Sequence, residues 1–173
     1  MAGDTKLETI AARSGFSVST VCAVIGGSTL PPLQQVLSVA GGIGGSQRHA
    51  HGLWYAAALQ AFRASQPKNP GPLAAFGIEL RRAMLKEDLG PADVRRRMVE
   101  AAARFDVRSM SVGTLRRLLS GAGAMPKIVQ MDLLLEVLPL QPDELQRLKA
   151  RHRVLSEALE IARELGDELD GAA

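Results

Sequence analysis

The residue types that most often carry out catalysis or bind metals are few in this sequence and are not spaced to act together. His49 and His51 are two positions apart, so on a helix their side chains point about 200° apart and do not converge on one ion. Cys22 is the single cysteine and has no base placed beside it; a free cysteine of this kind is usually a small buried hydrophobe, and the alternative is a redox switch. None of the common catalytic or metal-binding motifs occurs. We therefore expect no catalytic residue, no metal site, no cofactor and no enzymatic activity.

The glycine-rich stretch at residues 41–46 invites comparison with a loop that binds phosphate. Such a loop follows a strand and lies within a strand–helix–strand unit. Here the stretch follows a predicted helix at residues 33–40, so we expect a flexible connection between two helices.

The stretch from Ser111 to Gly121 has the boundaries of one short amphipathic helix. The Ser111 hydroxyl can accept a backbone N–H of the first turn, which makes serine a good N-cap. Gly121 stands where helices commonly end in a left-handed residue. One apolar stripe at i, i+3 and i+4 spacing consists of Leu115, Leu118 and Leu119.

The other side of this helix carries cations beside a bare glycine. On a wheel of about 100° per residue, Gly113 and Arg117 lie opposite Leu115, and Arg116 lies beside them. Arginine pairs bidentately with guanine in the DNA major groove, and Gly113 and Thr114 let a helix N-terminus approach a phosphate or base edge closely. A helix that recognises DNA has these properties, and so has a core helix with a solvated basic face.

The same pattern occurs earlier, in residues 17–27 followed by Pro32. At an offset of 94 positions the identical pairs are Ser17/Ser111, Val18/Val112, Thr20/Thr114, Gly27/Gly121 and Pro32/Pro126. The conservative pairs are Val21/Leu115, Val24/Leu118 and Ile25/Leu119. An internal repeat that coincides with helix boundaries predicts two copies of one helical unit. We expect Val21/Leu115 and Ile25/Leu119 to occupy equivalent core positions.

Both copies resemble the lambda-repressor-like (Xre-type) helix-turn-helix family, whose pattern here is G-x-S-x-S-T-[VIL]-S-R-x-[LIW]-x-G-x-x-x-P. The first copy follows the first half of this pattern from Gly15 to Val21, and the resemblance covers about 50 residues per copy. It implies sequence-specific binding of double-stranded DNA by a bacterial transcriptional regulator, with recognition helices at 17–26 and 111–120. The family has one more helix upstream of this pair, which residues 73–87 supply to the second copy and which the first copy lacks.

The resemblance and the charge pattern together give a set of DNA-contacting candidates. Residues 81–117 hold ten Lys/Arg against five Asp/Glu. The expected phosphate contacts are Arg81, Arg82, Lys86, Arg95 and Arg96. The expected contacts from the second recognition helix are Ser111, Gly113, Thr114, Arg116 and Arg117. The first recognition helix offers only uncharged residues near its start, and these are Ser17, Val18, Ser19 and Thr20.

The clearest domain boundary is the stretch 65–72, which has three prolines and a glycine and cannot continue a helix. We expect a helix-turn-helix domain at 1–64, a linker at 65–72, and a second domain at 73–173 that ends in a long helix. Aromatic residues make up only 3% of the chain and strand signals are few. The predicted fold is therefore all-α, with two tandem helix-turn-helix bundles.

Partners and location follow from the remaining patterns. Residues 143–170 hold five Lys/Arg against eight Asp/Glu, which favours a protein partner for the acidic last helix. We expect a homodimer formed through Leu133–Leu138, the last helix, or the uncovered face of the first domain. Neither a leader nor a run of 18 apolar residues occurs, so we expect no membrane contact and a cytoplasmic, nucleoid-associated protein. The alternative function is a non-catalytic scaffold, which the cation-free first copy favours.

Overall fold

The computed structural model describes residues 6–27, 29–105, 107–122 and 125–171. Every regular element in these ranges is a helix, so the prediction of an all-α fold is confirmed. The helices are α1 Leu7–Ser14, α2 Val18–Gly26, α3 Leu33–Gly42, α4 Gln47–Ala64, α5 Pro72–Leu85, α6 Pro91–Phe105, α7 Val112–Ser120, α8 Ile128–Glu136 and α9 Pro142–Gly171. The chain divides into two compact units, unit 1 (Met1–Gln66) and unit 2 (Pro67–Ala173).

Unit 1 contains α1 to α4 and has a small core. Helix α3 packs against each of the other three helices, and α1 also packs against α2. The buried cluster consists of Ile10, Ala11, Val21 and Val39, with Phe16 and Val24 packed partly against it. Trp54 on α4 is buried, and its indole N–H donates to the Pro31 carbonyl at 2.8 Å.

The glycine-rich stretch in unit 1 serves the packing of helices. A Cβ at Gly42 would lie 3.1 Å from the Ile10 carbonyl oxygen, so glycine permits the close approach of α3 to α1. Gly44 has φ +76°, in the left-handed region that favours glycine, and lies in the connection to α4. Residues 43–46 connect α3 to α4, as predicted, whereas Gly41 and Gly42 belong to the last turn of α3.

Unit 2 contains α5 to α9 around a larger core. Helix α5 packs against α7 and α9, α6 packs against α7 and α8, and α8 packs against α9. The fully buried side chains include Phe76, Leu80, Leu115 and Leu134. Most of the apolar residues of α8 are buried between its neighbours, whereas Ile128 and Val129 in its first turn are each 55% exposed.

Helices α5 and α7 approach each other closely through two glycines. A Cβ at Gly77 would lie 2.5 Å from the Leu119 carbonyl oxygen, and a Cβ at Gly121 would lie 2.5 Å from Ala74 Cα. No side chain fits at these distances without movement of the backbone. The position of Gly121 directly after α7 predicted a left-handed residue there, and its φ is +73°. Its close contact with Ala74 of α5 is evident only in the structure.

The two repeated stretches form helices with the same boundaries. Ser17 and Ser111 are N-caps, and their hydroxyl oxygens accept the N–H of Thr20 at 3.2 Å and of Thr114 at 3.0 Å. Gly27 follows α2 in the left-handed region, as Gly121 follows α7. The predicted helices at 17–26 and 111–120 are confirmed.

One expected equivalence within the repeat is wrong. Val21 and Leu115 are both fully buried, but Ile25 is 57% exposed whereas Leu119 is 5% exposed. Helix α5 covers Leu119 in unit 2, and no described helix of unit 1 takes that position on α2. Cys22, on the same uncovered side, is exposed rather than buried.

The segment 133–138 is also unavailable as a subunit interface. Leu133, Leu134, Leu135 and Leu138 are buried inside the core of unit 2. Their apolar run, one of the surfaces considered for a homodimer, is explained by packing within the unit.

Among the described helices, no single one has both the length and the apolar character of a membrane span. Helices α1 and α2 meet that test only as a pair, and they are bent by 102° at the break between them.

Candidate nucleic-acid interface

Helix α7 exposes a polar side to solvent and buries its leucines on the opposite side. Leu115, Leu118 and Leu119 are buried against the core of unit 2. On the other side the exposed residues are Gly113, Arg116 and Arg117. The separation that the helical wheel predicted is therefore present, and it leaves two guanidinium groups on one accessible surface.

Two side-chain hydroxyl groups lie at the N-terminal end of α7. Ser111 is exposed, and besides accepting the Thr114 N–H its Oγ lies 3.0 Å from Thr114 Oγ1. The first N–H groups of an α-helix have no intrahelical acceptor, and the helix dipole favours an anion at this end. Between these hydroxyl residues, Gly113 has no side chain, so the backbone of the first turn is accessible at that position.

A cavity of about 410 Å³ opens beside this helix end. It is lined by Arg95 of α6, by Arg108, Ser109 and Met110 of the segment before α7, by Ser111 and Thr114, and by Gln130 of α8. The lining thus includes two arginines, three residues with hydroxyl groups and a glutamine. These are groups that donate hydrogen bonds to the oxygens of a phosphate.

The segment between α6 and α7 is held in place from α8. The Gln130 side-chain amide donates to the Arg108 carbonyl at 3.4 Å. A second concavity, of about 510 Å³, shares Arg95, Arg108 and Ser109 with the first, so the two adjoin at these residues.

Several of the cations near this surface have no ion-pair partner. Within the described part of the chain, no ion pair forms at Arg95, Arg108, Arg116 or Arg117. Arg82 on α5 likewise has none there, and its side chain is exposed. Positive charge that is not neutralised inside the protein is available to an anionic ligand.

Other predicted phosphate contacts are engaged within unit 2. Lys86 forms an ion pair with Glu144 at the start of α9 and donates to the Pro139 carbonyl at 3.3 Å. Arg96 pairs with Asp93 one turn away at 3.2 Å, with both side chains largely exposed. Arg81 is half-buried on α5. Lys86 thus ties α5 to α9, whereas Arg96 keeps an exposed guanidinium.

The corresponding surface of α2 in unit 1 has hydroxyls but no charge. Ser17 Oγ lies 2.9 Å from both Ser19 Oγ and Thr20 Oγ1, so these groups bond to one another. Val18 is 36% exposed. The helix itself contains no lysine or arginine, so electrostatic attraction to a polyanion is weaker here than at α7.

Arg108, Ser109 and Gln130 were not among the candidate residues from the sequence. They became visible because the connection between α6 and α7 folds back beside the N-terminus of α7. The only signal in the sequence is a basic residue, Arg108, three positions before the N-cap Ser111.

Comparison of the chain with protein families, with curated proteins and with solved structures found no match.

Proposed function

We propose that the protein binds double-stranded DNA through unit 2, with α7 in the major groove. The observation that supports this most is the exposed side of α7, where Gly113, Arg116 and Arg117 lie together next to a cavity lined by Arg95 and Arg108. A helix that enters the groove by its N-terminal end needs a narrow first turn, cations on its outer side and an adjoining anchor for the DNA backbone. Unit 2 provides each of these.

In this proposal the base edges are contacted by arginine. Arg117 lies on the same side as Gly113, so it points into the groove when the start of α7 enters it. Arg116 is one step around the helix. Bidentate pairing of either guanidinium with guanine gives discrimination of roughly 1–3 kcal/mol against other bases.

The DNA backbone is held by the cavity beside α7. A phosphate in it accepts hydrogen bonds from Arg95 and Arg108 and from the hydroxyls of Ser109 and Ser111. Further attraction comes from the exposed Arg82 and Arg96. These contacts release counterions, so the affinity falls steeply with salt.

Unit 1 has a lesser part in this proposal. Its uncharged α2 offers Val18 and Thr20 for contacts with thymine methyl groups and Ser17 and Ser19 for phosphate oxygens. We infer a role in transcriptional regulation from the base contacts proposed for α7 and from the resemblance of the sequence to the helix-turn-helix family.

The direct test is binding to a mixed-sequence duplex by fluorescence anisotropy at two salt concentrations, followed by selection of bound sequences. We expect affinity to fall at least ten-fold between about 50 and 200 mM salt, and the selection to converge on one motif. Binding without a salt dependence, or no binding at the lower concentration, contradicts the proposal.

A second candidate is a scaffold that assembles proteins. It is favoured by a specific observation: unit 1 exposes large apolar side chains, among them Ile25 at 57% and Leu53 at 61%, and carries no cation on α2. This function predicts that the protein shows no binding to duplex DNA at any salt concentration.

A further inference from the structure

The second concavity of unit 2, of about 510 Å³, has an apolar part that the proposed DNA contacts do not use. Arg95, Arg108 and Ser109 line both this concavity and the first cavity. The four residues that line only the second concavity are all apolar, and these are Val99, Ala102, Ala103 and Val107. Hydrogen-bond donors are therefore found where the two concavities adjoin, and the rest of the second concavity is apolar.

The periodicity of α6 explains this succession of a cation and apolar residues. Arg95, Val99, Ala102 and Ala103 are spaced at i, i+4, i+7 and i+8, so they lie on one side of the helix. At a rise of about 1.5 Å per residue, Val99 lies about 6 Å and Ala103 about 12 Å along the axis from Arg95. Val99 is 41% exposed, Ala103 is exposed and Ala102 is buried. The short alanine side chains leave room beside Val99 for an apolar group of a ligand.

The charge of the lining indicates an anionic ligand. Among the described residues that line the two concavities, none is acidic. Within the described part of the chain, the ion pairs do not include Arg95 or Arg108. A guanidinium pairs with a carboxylate through two parallel hydrogen bonds, and a serine hydroxyl is a further donor. A carboxylate bound at these donors leaves its apolar body beside Val99.

We propose that the second concavity binds a small organic carboxylate with an apolar body, and that this ligand competes with DNA. The volume of about 510 Å³ lies within the range that is usual for small-molecule sites. The carboxylate is bound by Arg95, Arg108 and Ser109, which are also the proposed anchors of a DNA phosphate. Ligand and DNA therefore cannot use these donors at the same time. The competition rests on the proposed function, whereas ligand binding is tested without DNA.

Octanoate is the probe for this site, with acetate and octanol as matched controls. The full-length, isotope-labelled protein is titrated without DNA and followed by NMR. We expect octanoate to shift the amide signals of residues 95–104 and 107–109. The expected dissociation constant is millimolar or tighter, as a ligand of about ten non-hydrogen atoms allows. Acetate lacks the apolar body and octanol lacks the carboxylate, so each is expected to bind roughly ten-fold more weakly or worse.

Two variants with the same substitution test the apolar part of the site. Val99→Asn removes an apolar side chain without adding charge, so octanoate is expected to bind roughly five-fold more weakly or worse. Val154→Asn is the matched control, because Val154 is 63% exposed on α9 and lines neither concavity. It is expected to bind octanoate as the parent does. Circular dichroism checks the helicity of both variants, which should be unchanged because neither side chain is buried.

Two arginine variants test whether the site is shared with DNA. Arg108→Ala is expected to weaken the binding of both octanoate and duplex DNA. Arg117 lines neither concavity, so Arg117→Ala is expected to weaken the binding of DNA alone.

Anisotropy titrations of the parent with a duplex measure the competition directly. Saturating sodium octanoate is expected to weaken DNA binding roughly five-fold or more, and the duplex to weaken octanoate binding by the same factor, because coupling between binding equilibria is reciprocal. Sodium acetate at the same concentration is the control for ionic strength. Val99→Asn is expected to bind the duplex as the parent does and to lose the effect of octanoate.

Three results overturn the proposal: octanoate binding no tighter than that of acetate or octanol, equal octanoate binding by Val99→Asn and Val154→Asn, or a DNA affinity that saturating octanoate leaves unchanged. If the parent binds no duplex even without octanoate, the proposed function fails, and the NMR titration still decides whether the ligand site exists. If Val99→Asn unfolds unit 2, the comparison of octanoate with octanol and the Arg108→Ala variant decide the question.

Discussion

The two arginines of α7 and the arginine of α5 are expected to serve DNA binding differently. Arg117→Ala removes a base contact, so we predict a loss of roughly 1–3 kcal/mol on the selected sequence and relaxed discrimination at one or two base pairs. Arg82→Ala removes a phosphate contact, so it weakens binding to all sequences about equally and lowers the salt slope by about one unit. Anisotropy titrations on selected and scrambled duplexes measure both effects.

Circular dichroism serves as the control for these variants, since all the side chains concerned are exposed and helicity should be unchanged. Leu118→Asp is not a useful comparison, because a charge buried in the core unfolds unit 2 and abolishes binding trivially. If Arg116→Ala and Arg117→Ala both bind the selected sequence as the parent does, α7 does not contact bases.

A substitution at Gly113 is expected to affect DNA binding without affecting folding. It lies in the first turn of α7 with ordinary helical geometry, and an added Cβ meets only Ser111 Oγ at 3.7 Å, an ordinary contact. Gly113→Ala is therefore expected to leave the stability of unit 2 unchanged or raise it by up to about 1 kcal/mol. If the start of α7 lies against DNA, the same change weakens binding several-fold. Denaturant unfolding and anisotropy on one preparation measure the two effects; unchanged affinity argues against close approach at this residue.

At the scale of elements, the close approach of α5 to α7 depends on the absence of a side chain at Gly77. Gly77→Ala puts a methyl group 2.5 Å from the Leu119 carbonyl oxygen, so the helices must separate. We predict a destabilisation of unit 2 of about 1–3 kcal/mol, the usual range for overpacking. Gly113→Ala is the matched control, since it is the same substitution in the same unit at an open position. Equal denaturation midpoints for the two variants show that the close approach is not required.

The start of α9 makes the stability of unit 2 depend on pH. Glu144 accepts the Gln141 backbone N–H at 2.9 Å and pairs with Lys86, and these two contacts lower the pKa of its carboxyl below 4.5. A lowered pKa in the folded state contributes stability that is present above the unfolded pKa and is lost as pH falls through the folded pKa. Glu144→Gln is thus expected to lose about 1 kcal/mol at pH 7 and to show a smaller further loss below pH 4.5. Glu136→Gln, at an exposed position, should behave as the parent does in urea unfolding between pH 3 and 7.

Much of this architecture was predictable because local chemistry marks the helix ends. Helices α2 and α7 begin at serine N-caps, Ser17 and Ser111, whose hydroxyls accept a backbone N–H of the first turn. Both helices are followed by a glycine in the left-handed region, Gly27 and Gly121. The exposure of Ile25 was not predictable from the sequence of its counterpart Leu119, because burial at this position depends on whether another helix covers it.

The residues of the candidate site could also be predicted from the sequence only in part. The outward side of α7 follows from helical periodicity, so Gly113 and Arg117 could be identified from the sequence. The place of Arg108 could not, because it depends on the path of an irregular segment that is held by Gln130. Lys86 carries the right charge for a phosphate contact, but its ion pair with Glu144 joins residues 58 positions apart, which no local pattern reveals.

At the scale of the whole molecule, charge and apolar surface are distributed unequally between the two units. Unit 2 contains the basic segment 81–117 and buries its α7 leucines. Unit 1 carries few charges, and its uncovered α2 exposes Ile25. The cations that the proposed DNA contacts require are therefore concentrated in unit 2.

The unequal cores predict that the two units unfold separately. Among the described residues, the buried cluster of unit 1 has four members and that of unit 2 has eighteen, so unit 1 has much less apolar burial to offset its conformational entropy. Trp54 is the single tryptophan, is buried in unit 1 and is bonded to Pro31, so its fluorescence reports on that unit alone. We predict that the fluorescence transition in urea precedes the larger loss of helical circular dichroism.

Gly77→Ala is expected to shift only the second transition, because the close contact that it disturbs lies between α5 and α7 of unit 2. A single transition that both probes report at the same urea concentration contradicts the separate unfolding of the two units.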